Sequence, residues 1–121
     1  MIALLAPVLL TACGESYTSV TAASHHCARE ANVSIKASGG TFTLTGKCGK
    51  VLVDGGNNTL TVEATRTFEI DGENNVVAIG AADSIGVRGA RNTVNYKKGL
   101  SGKAPNVGVV RGDNNTIMPA N

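Results

Sequence analysis

The chain has 121 residues, with 11 basic and 9 acidic side chains and a net charge of +2. At 42% hydrophobic and 17% charged residues it is not disordered by composition, and its charge bias is too small to argue for nucleic acid. Its 15 glycines and its sparse aromatics (Tyr17, Phe42, Phe68 and Tyr96, with no tryptophan) exclude a helical bundle or coiled coil and favour short strands joined by tight turns. No recognisable reaction centre is present, and no cofactor is expected.

The first element is an address. Residues 1–12 read MIALLAPVLLTA, an uncharged apolar run. The run is too short to span a bilayer and of a length that suits the h-region of a secretory signal. It ends in Leu10-Thr11-Ala12-Cys13-Gly14. This resembles the lipobox of bacterial lipoproteins. The resemblance implies cleavage before Cys13 and acylation of its sulfur and new amino group. Several acyl chains together give stable anchoring, where one gives only marginal binding. A signal opens with a positively charged n-region, which this run lacks, so the expectation is a natural start upstream of Met1. Residues 13–26, small and polar after Cys13, read as a tether between lipid and folded domain.

From Cys27 to Asn121 the chain is a repeat domain. The segments beginning at Val53, Ile70, Val87 and Val110 share one pattern, apolar-x-Gly-x-x-Asn-x-apolar. Its glycines are Gly55, Gly72, Gly89 and Gly112, so the steps are 17, 17 and 23 residues. A degenerate earlier copy runs from Ile35 through Gly39 and Gly40 to Leu44. Alternation in Leu60-Thr61-Val62 and Phe68-Glu69-Ile70 is strand periodicity with one buried face.

A short fixed period predicts an all-β solenoid, a β-helix-like coil of about 17-residue turns. At about 3.3 Å per residue, one turn makes a circuit of roughly 55 Å. Equivalent residues then stack one strand spacing apart, about 4.8 Å. Asn58, Asn75, Asn92 and Asn115 are expected to form an amide column and to supply the left-handed backbone of the corner, with the four glycines avoiding a Cβ there. Val53, Ile70, Val87 and Val110 are expected as one inner column, and Leu60, Val77, Val94 and Ile117 as another. The rival fold is an antiparallel meander with Asp-Gly-Glu-Asn-Asn as a hairpin loop.

The pattern, with Cys27 before the first copy and Cys48 inside Thr45-Gly46-Lys47-Cys48, resembles the domain-of-unknown-function family 3060 (DUF3060) over about Cys27 to Ile117. That resemblance implies an actinobacterial, especially mycobacterial, envelope lipoprotein. The family carries no established reaction, so no catalytic residue transfers.

With Cys13 taken by lipid, Cys27 and Cys48 remain as an even pair in an exported setting, and a disulfide is expected. The alternative is a metal site from His25, His26, Cys27 and Cys48, although adjacent histidines point apart on an extended chain. Asp54 and Asp71 would stack one strand apart, close to the separation of a retaining glycosidase pair. Their column continues as Arg88 and Arg111, so the plainer reading is a cross-strand charge pair between Asp71 and Arg88. The 23-residue step holds the insertion Lys97–Asn106, whose Lys97, Lys98 and Lys103 form a candidate anion-binding loop. Asn32-Val33-Ser34 and the two Asn-Asn-Thr triplets match a glycosylation pattern, read as coincidence in so Asn- and Thr-rich a chain.

The function expected is that of a non-catalytic, lipid-anchored protein at the outer face of the cell membrane. Its partners would be the membrane, through Cys13, and an envelope glycan or protein. The alternative is a glycan lyase or hydrolase on a miniature β-helix.

Overall fold

The structure, a computed structural model, describes residues 16–120. The signal segment and Cys13 lie outside the described residues. The elements are β1 (Thr18–Ser19), β2 (Ser24–Cys27), β3 (Val33–Ile35), β4 (Thr41–Asp54), β5 (Thr59–Glu73), β6 (Val76–Ala90), β7 (Thr93–Lys98), β8 (Asn106–Arg111) and β9 (Thr116–Pro119). No helix is present among the described residues. Every pairing is parallel, which excludes the meander. Thr59 lies opposite Val76, and Val76 opposite Thr93, so each step of 17 residues closes one turn. The described residues form a β-solenoid of about five turns.

The long strands bend around the coil. In β5 the buried residues are Leu60, Val62, Thr65, Phe68 and Ile70. Period-2 alternation slips by one residue between Val62 and Thr65 and again between Thr65 and Phe68, and these slips mark corners. Each full turn therefore has three straight runs, represented in β5 by residues 59–63, 64–66 and 67–71. The third corner is the Gly–Asn segment between strands.

The interior is a set of apolar columns. Phe42, Leu60, Val77 and Val94 stack on one side, and Val51, Phe68 and Ile85 on another, all buried. Val53, Ile70 and Val87 are buried as expected, but Val110, in register with Val87, is 47% exposed. It belongs to the last described turn, so no further strand lies over it, and the register slips there between Ile85 and Val87.

The tether reading is corrected over its described part. β1 pairs with β3 and β2 with β4. Val20 and Cys27 are buried. The side chains of Thr18, Ser19, Ser24 and His25 carry no apolar pattern, yet a strand joins a sheet through its backbone. Thr18 N donates to Asn32 O at 2.9 Å, and Thr43 N to Ala23 O at 2.8 Å.

Cys27 and Cys48 form a disulfide, with their Cα atoms 5.1 Å apart. It links the first turn to the second. Closing a loop of this length stabilises a fold by about 3 kcal/mol, so Cys27→Ala/Cys48→Ala should lower the melting temperature by ten degrees or more (roughly). Wild type melted in reductant should fall by a similar amount.

Glu30, at the first turn, receives a hydrogen bond from Arg66 Nε and lies 3.5 Å from Lys47 Nζ. The hydrogen bond from Arg66, opposed by desolvation and aided by the charges of Arg66 and Lys47, holds its carboxyl below the usual value of 4.5. A depressed folded value means the contribution is complete above 4.5 and is lost as pH falls below it. Wild type should therefore melt above Glu30→Gln at neutral pH, and the two should converge on acidification below pH 4.5.

Candidate functional site

The corner between the third and first runs holds the densest polar network of the described residues. Asn58, Asn75 and Asn92 are fully buried. The amide of Asn75 reaches both neighbouring turns. Its Oδ1 accepts from Asn58 N at 3.1 Å, and its Nδ2 donates to Gly55 O and to Asn92 Oδ1, both at 2.9 Å. Asn92 repeats this one turn on, between Asn75, Gly72 and Asn115. The degenerate first copy places Gly40 at this position, and Gly40 N donates to Asn58 Oδ1.

One expectation about this corner is corrected, and another gains a second cause. The left-handed residues are Asn57, Asn74, Arg91 and Asn114, each one before the ladder asparagine, with φ between 56° and 60°. The ladder asparagines serve through their amides instead. The glycine column is set by close approach as much as by conformation. A Cβ on Gly72 would lie 1.8 Å from Gly55 O, and one on Gly89 would lie 1.8 Å from Gly72 O.

The carboxylate column is exposed. Asp54 lies opposite Asp71, and Asp71 opposite Arg88. The expected Asp71–Arg88 ion pair is not among those of the described residues, which join Lys47 and Arg66 to Glu30, Lys50 to Glu69, and Arg91 to Glu73. Arg91 instead reaches Asn74 Oδ1 and Glu73 Oε1 around the corner. Asp71→Ala should therefore change stability by less than about 1 kcal/mol, read as a melting temperature within a few degrees of wild type.

Both cysteine sulfurs are consumed by the disulfide, so neither is available to a metal. His26 Nδ1 lies 3.0 Å from Thr45 Oγ1. The three lysines of the insertion are dispersed. Lys97 and Lys98 end β7, and only Lys103 lies in the loop that follows. All three are exposed. The loop is held by Leu100 N donating to Asp83 Oδ1 at 3.0 Å.

Two outer grooves were not foreseen. One, of about 230 Å³, crosses the third run between Glu69, Asp71, Ser84, Arg88 and Asn106, over Gly86 and Gly108. The other, of about 400 Å³, crosses the first run over Ala78 and Gly80. Their signal in the sequence is a turn whose outward positions are small (Ala78, Gly80, Ser84, Gly86) beside a turn where they are large.

The family described as "Protein of unknown function (DUF3060)" matches twice, over residues 35–80 and 65–108. The chain belongs to this family. The overlap at 65–80 falls within β5 and β6, and a repeat allows one turn to end one match and begin the next. Both the ladder from Asn58 to Asn92 and the glycines from Gly55 to Gly89 lie inside the DUF3060 matches. No curated protein and no solved structure matches the chain.

Proposed function

We propose that this DUF3060 protein is a lipid-anchored envelope component whose solenoid is a rigid, non-catalytic module with a structural or binding role. Acyl chains on Cys13 would hold it at the outer face of the cell membrane, and an envelope glycan or protein would be its partner. The observation that carries the reading is how the polar residues of the internal repeat are used within the coil. The repeated asparagines and glycines are committed to bonds and contacts between turns, and of the carboxylates outside the ladder Asp54 and Asp71 are exposed, Asp71 on the groove of the third run. An enzyme on a solenoid builds its cleft from long insertions on one side, and the described turns carry one long insertion, between β7 and β8.

The test has two arms. Mass spectrometry of the membrane fraction should find a chain beginning at an acylated Cys13, and an unmodified Cys13 refutes the anchor. Pull-down from native envelope should recover a partner with the acylated protein and with a Cys13→Ala control. If instead the protein cleaves envelope glycan and Asp71→Ala abolishes the cleavage, the lyase or hydrolase reading replaces this one.

A further inference from the structure

The third run carries an outward column of charge over four successive turns. Asp54, Asp71, Arg88 and Arg111 lie in register, each opposite the next, and all four are exposed. Along the coil their signs run minus, minus, plus, plus. Asp71 and Arg88 lie one strand spacing apart, about 4.8 Å between backbones. Even so, none of the four forms an ion pair with another described residue. Lys36, which follows Ile35 in register with Val53, extends the column by one exposed cation at the first turn.

The column beside it is ordered by size. It runs Leu52, Glu69, Gly86 and, after the slip in register, Gly108, so two long side chains are followed by two glycines. The 230 Å³ groove lies where the long residues give way to the glycines, and all four line it. Leu52 is partly exposed there, an apolar side chain beside the charged column. A Cβ on Gly108 would meet nothing within 4 Å. The third outward column, Lys50, Thr67, Ser84 and Asn106, is polar throughout.

A partner complementary to this face carries cations against Asp54 and Asp71 and anions against Arg88 and Arg111, at steps of about 4.8 Å. It is raised over the two glycines and hollow over Leu52 and Glu69. The same face turned end for end meets every one of these demands. Half a turn about an axis along the strands, passing between Asp71 and Arg88, sets Asp54 against Arg111 of the second copy and Asp71 against its Arg88, with the reciprocal pairs formed by symmetry. Leu52 then faces the second copy's Gly108, and Glu69 its Gly86, so each long side chain enters the other groove. Lys50 faces Asn106 and Thr67 faces Ser84, while Lys36 overhangs the last turn and meets no like charge. Other two-fold arrangements fit worse. An axis along the coil sets Glu69 on Glu69 and glycine on glycine, and an antiparallel register shifted by one turn sets Asp71 on Asp71 or Arg88 on Arg88. We infer that the third run is the interface of an isologous, antiparallel dimer of this chain. Three outward residues on each of four turns fall short of the roughly 20–30 residues a side of a standard interface, so the dimer is a weak one, and its exposed charge pairs weaken further with salt.

The contact is built from residues 50–111 and is independent of the lipid anchor, so the full chain carrying Cys13→Ala serves as the test protein. Sedimentation velocity over a concentration series should show a shift from monomer toward dimer, smaller at high salt than at low. Asp71→Arg alone, or Arg88→Asp alone, sets like charges together at both symmetric contacts, and each should weaken association at least tenfold. The two variants mixed in equal amounts should recover it, because each reversed side chain then faces the other and the two native ones still face each other. The double variant Asp71→Arg/Arg88→Asp should associate by itself for the same reason. Gly108→Phe fills the groove and should also weaken association at least tenfold. Positions 71, 88 and 108 are exposed, so all of these variants should melt within a few degrees of the parent. A parent that stays monomeric throughout the series, an association that survives Asp71→Arg or Gly108→Phe, or a mixture no tighter than its components overturns the inference.

Discussion

Gly72→Ala should leave the coil unfolded, or melting lower by more than about fifteen degrees, although it adds a single methyl group. The new carbon would sit 1.8 Å from Gly55 O, and 2.8 Å from its carbonyl carbon. The obstructing atoms are backbone, held by the parallel pairing of β4 with β5 and β5 with β6. No side-chain rotation relieves the clash. Relief requires the two turns to separate at the corner, which breaks the ladder bonds on both sides of it. Overpacking in a well-packed interior costs about 1–3 kcal/mol when side chains absorb it, so a backbone obstruction should exceed about 3 kcal/mol. Gly102→Ala is the control, because a Cβ there meets nothing within 4 Å. Its φ of +90° brings conformational strain alone, so it should be much the milder of the two. Equal melting temperatures for Gly72→Ala and Gly102→Ala would refute the close-stacking account of the column.

Asn75→Ala should be the next most damaging change. Truncation leaves Asn58 N without its acceptor and Gly55 O without its side-chain donor, and removes the bond to Asn92 Oδ1. Asn75 is fully buried, so water does not replace these partners. A buried group left unsatisfied costs about 1–3 kcal/mol, and the change should cost about 3–4 kcal/mol in all. Urea and thermal melts should place Asn75→Ala more than about ten degrees below both wild type and Asp71→Ala. Asn74→Ala separates the two roles at the corner. Asn74 supplies the left-handed backbone at φ 56° and accepts from the exposed Arg91, so its loss should be the smaller. A larger loss at position 74 than at position 75 would mean that conformation, not the amide ladder, holds the corner.

The turn length, the inner columns and the Gly–Asn corner were legible in the sequence because each recurs in register at 53, 70, 87 and 110. The division of labour at the corner was also legible in principle. Three corners read Asn-Asn, but the one at Arg91-Asn92 does not. Only the second asparagine is present in all four, as a buried amide requires, whereas a left-handed residue with an exposed side chain tolerates arginine. The first strands were hidden for a different reason. Residues 18–27 contribute backbone to the sheet and bury chiefly Val20 and Cys27, so hydrophobic periodicity had almost nothing to report. The grooves were hidden because they depend on the contrast between outward residues of adjacent turns. That contrast is visible only once the register is known.

The uniform step between turns also bears on how the chain acquires its structure. Each pairing joins residues 15 to 23 apart, wherever in the coil it lies. Closing the next turn thus costs nearly the same loop entropy at every stage, and each completed turn presents a template for one more. Folding can then advance as a front, and the natural origin is the disulfide, which ties two turns together before the rest are laid down. The front ends where Val110 stands half open, so amide protection should decline along the coil from β4 toward β9, with the last turn exchanging first. The molecule would open as a zip fastened at one end.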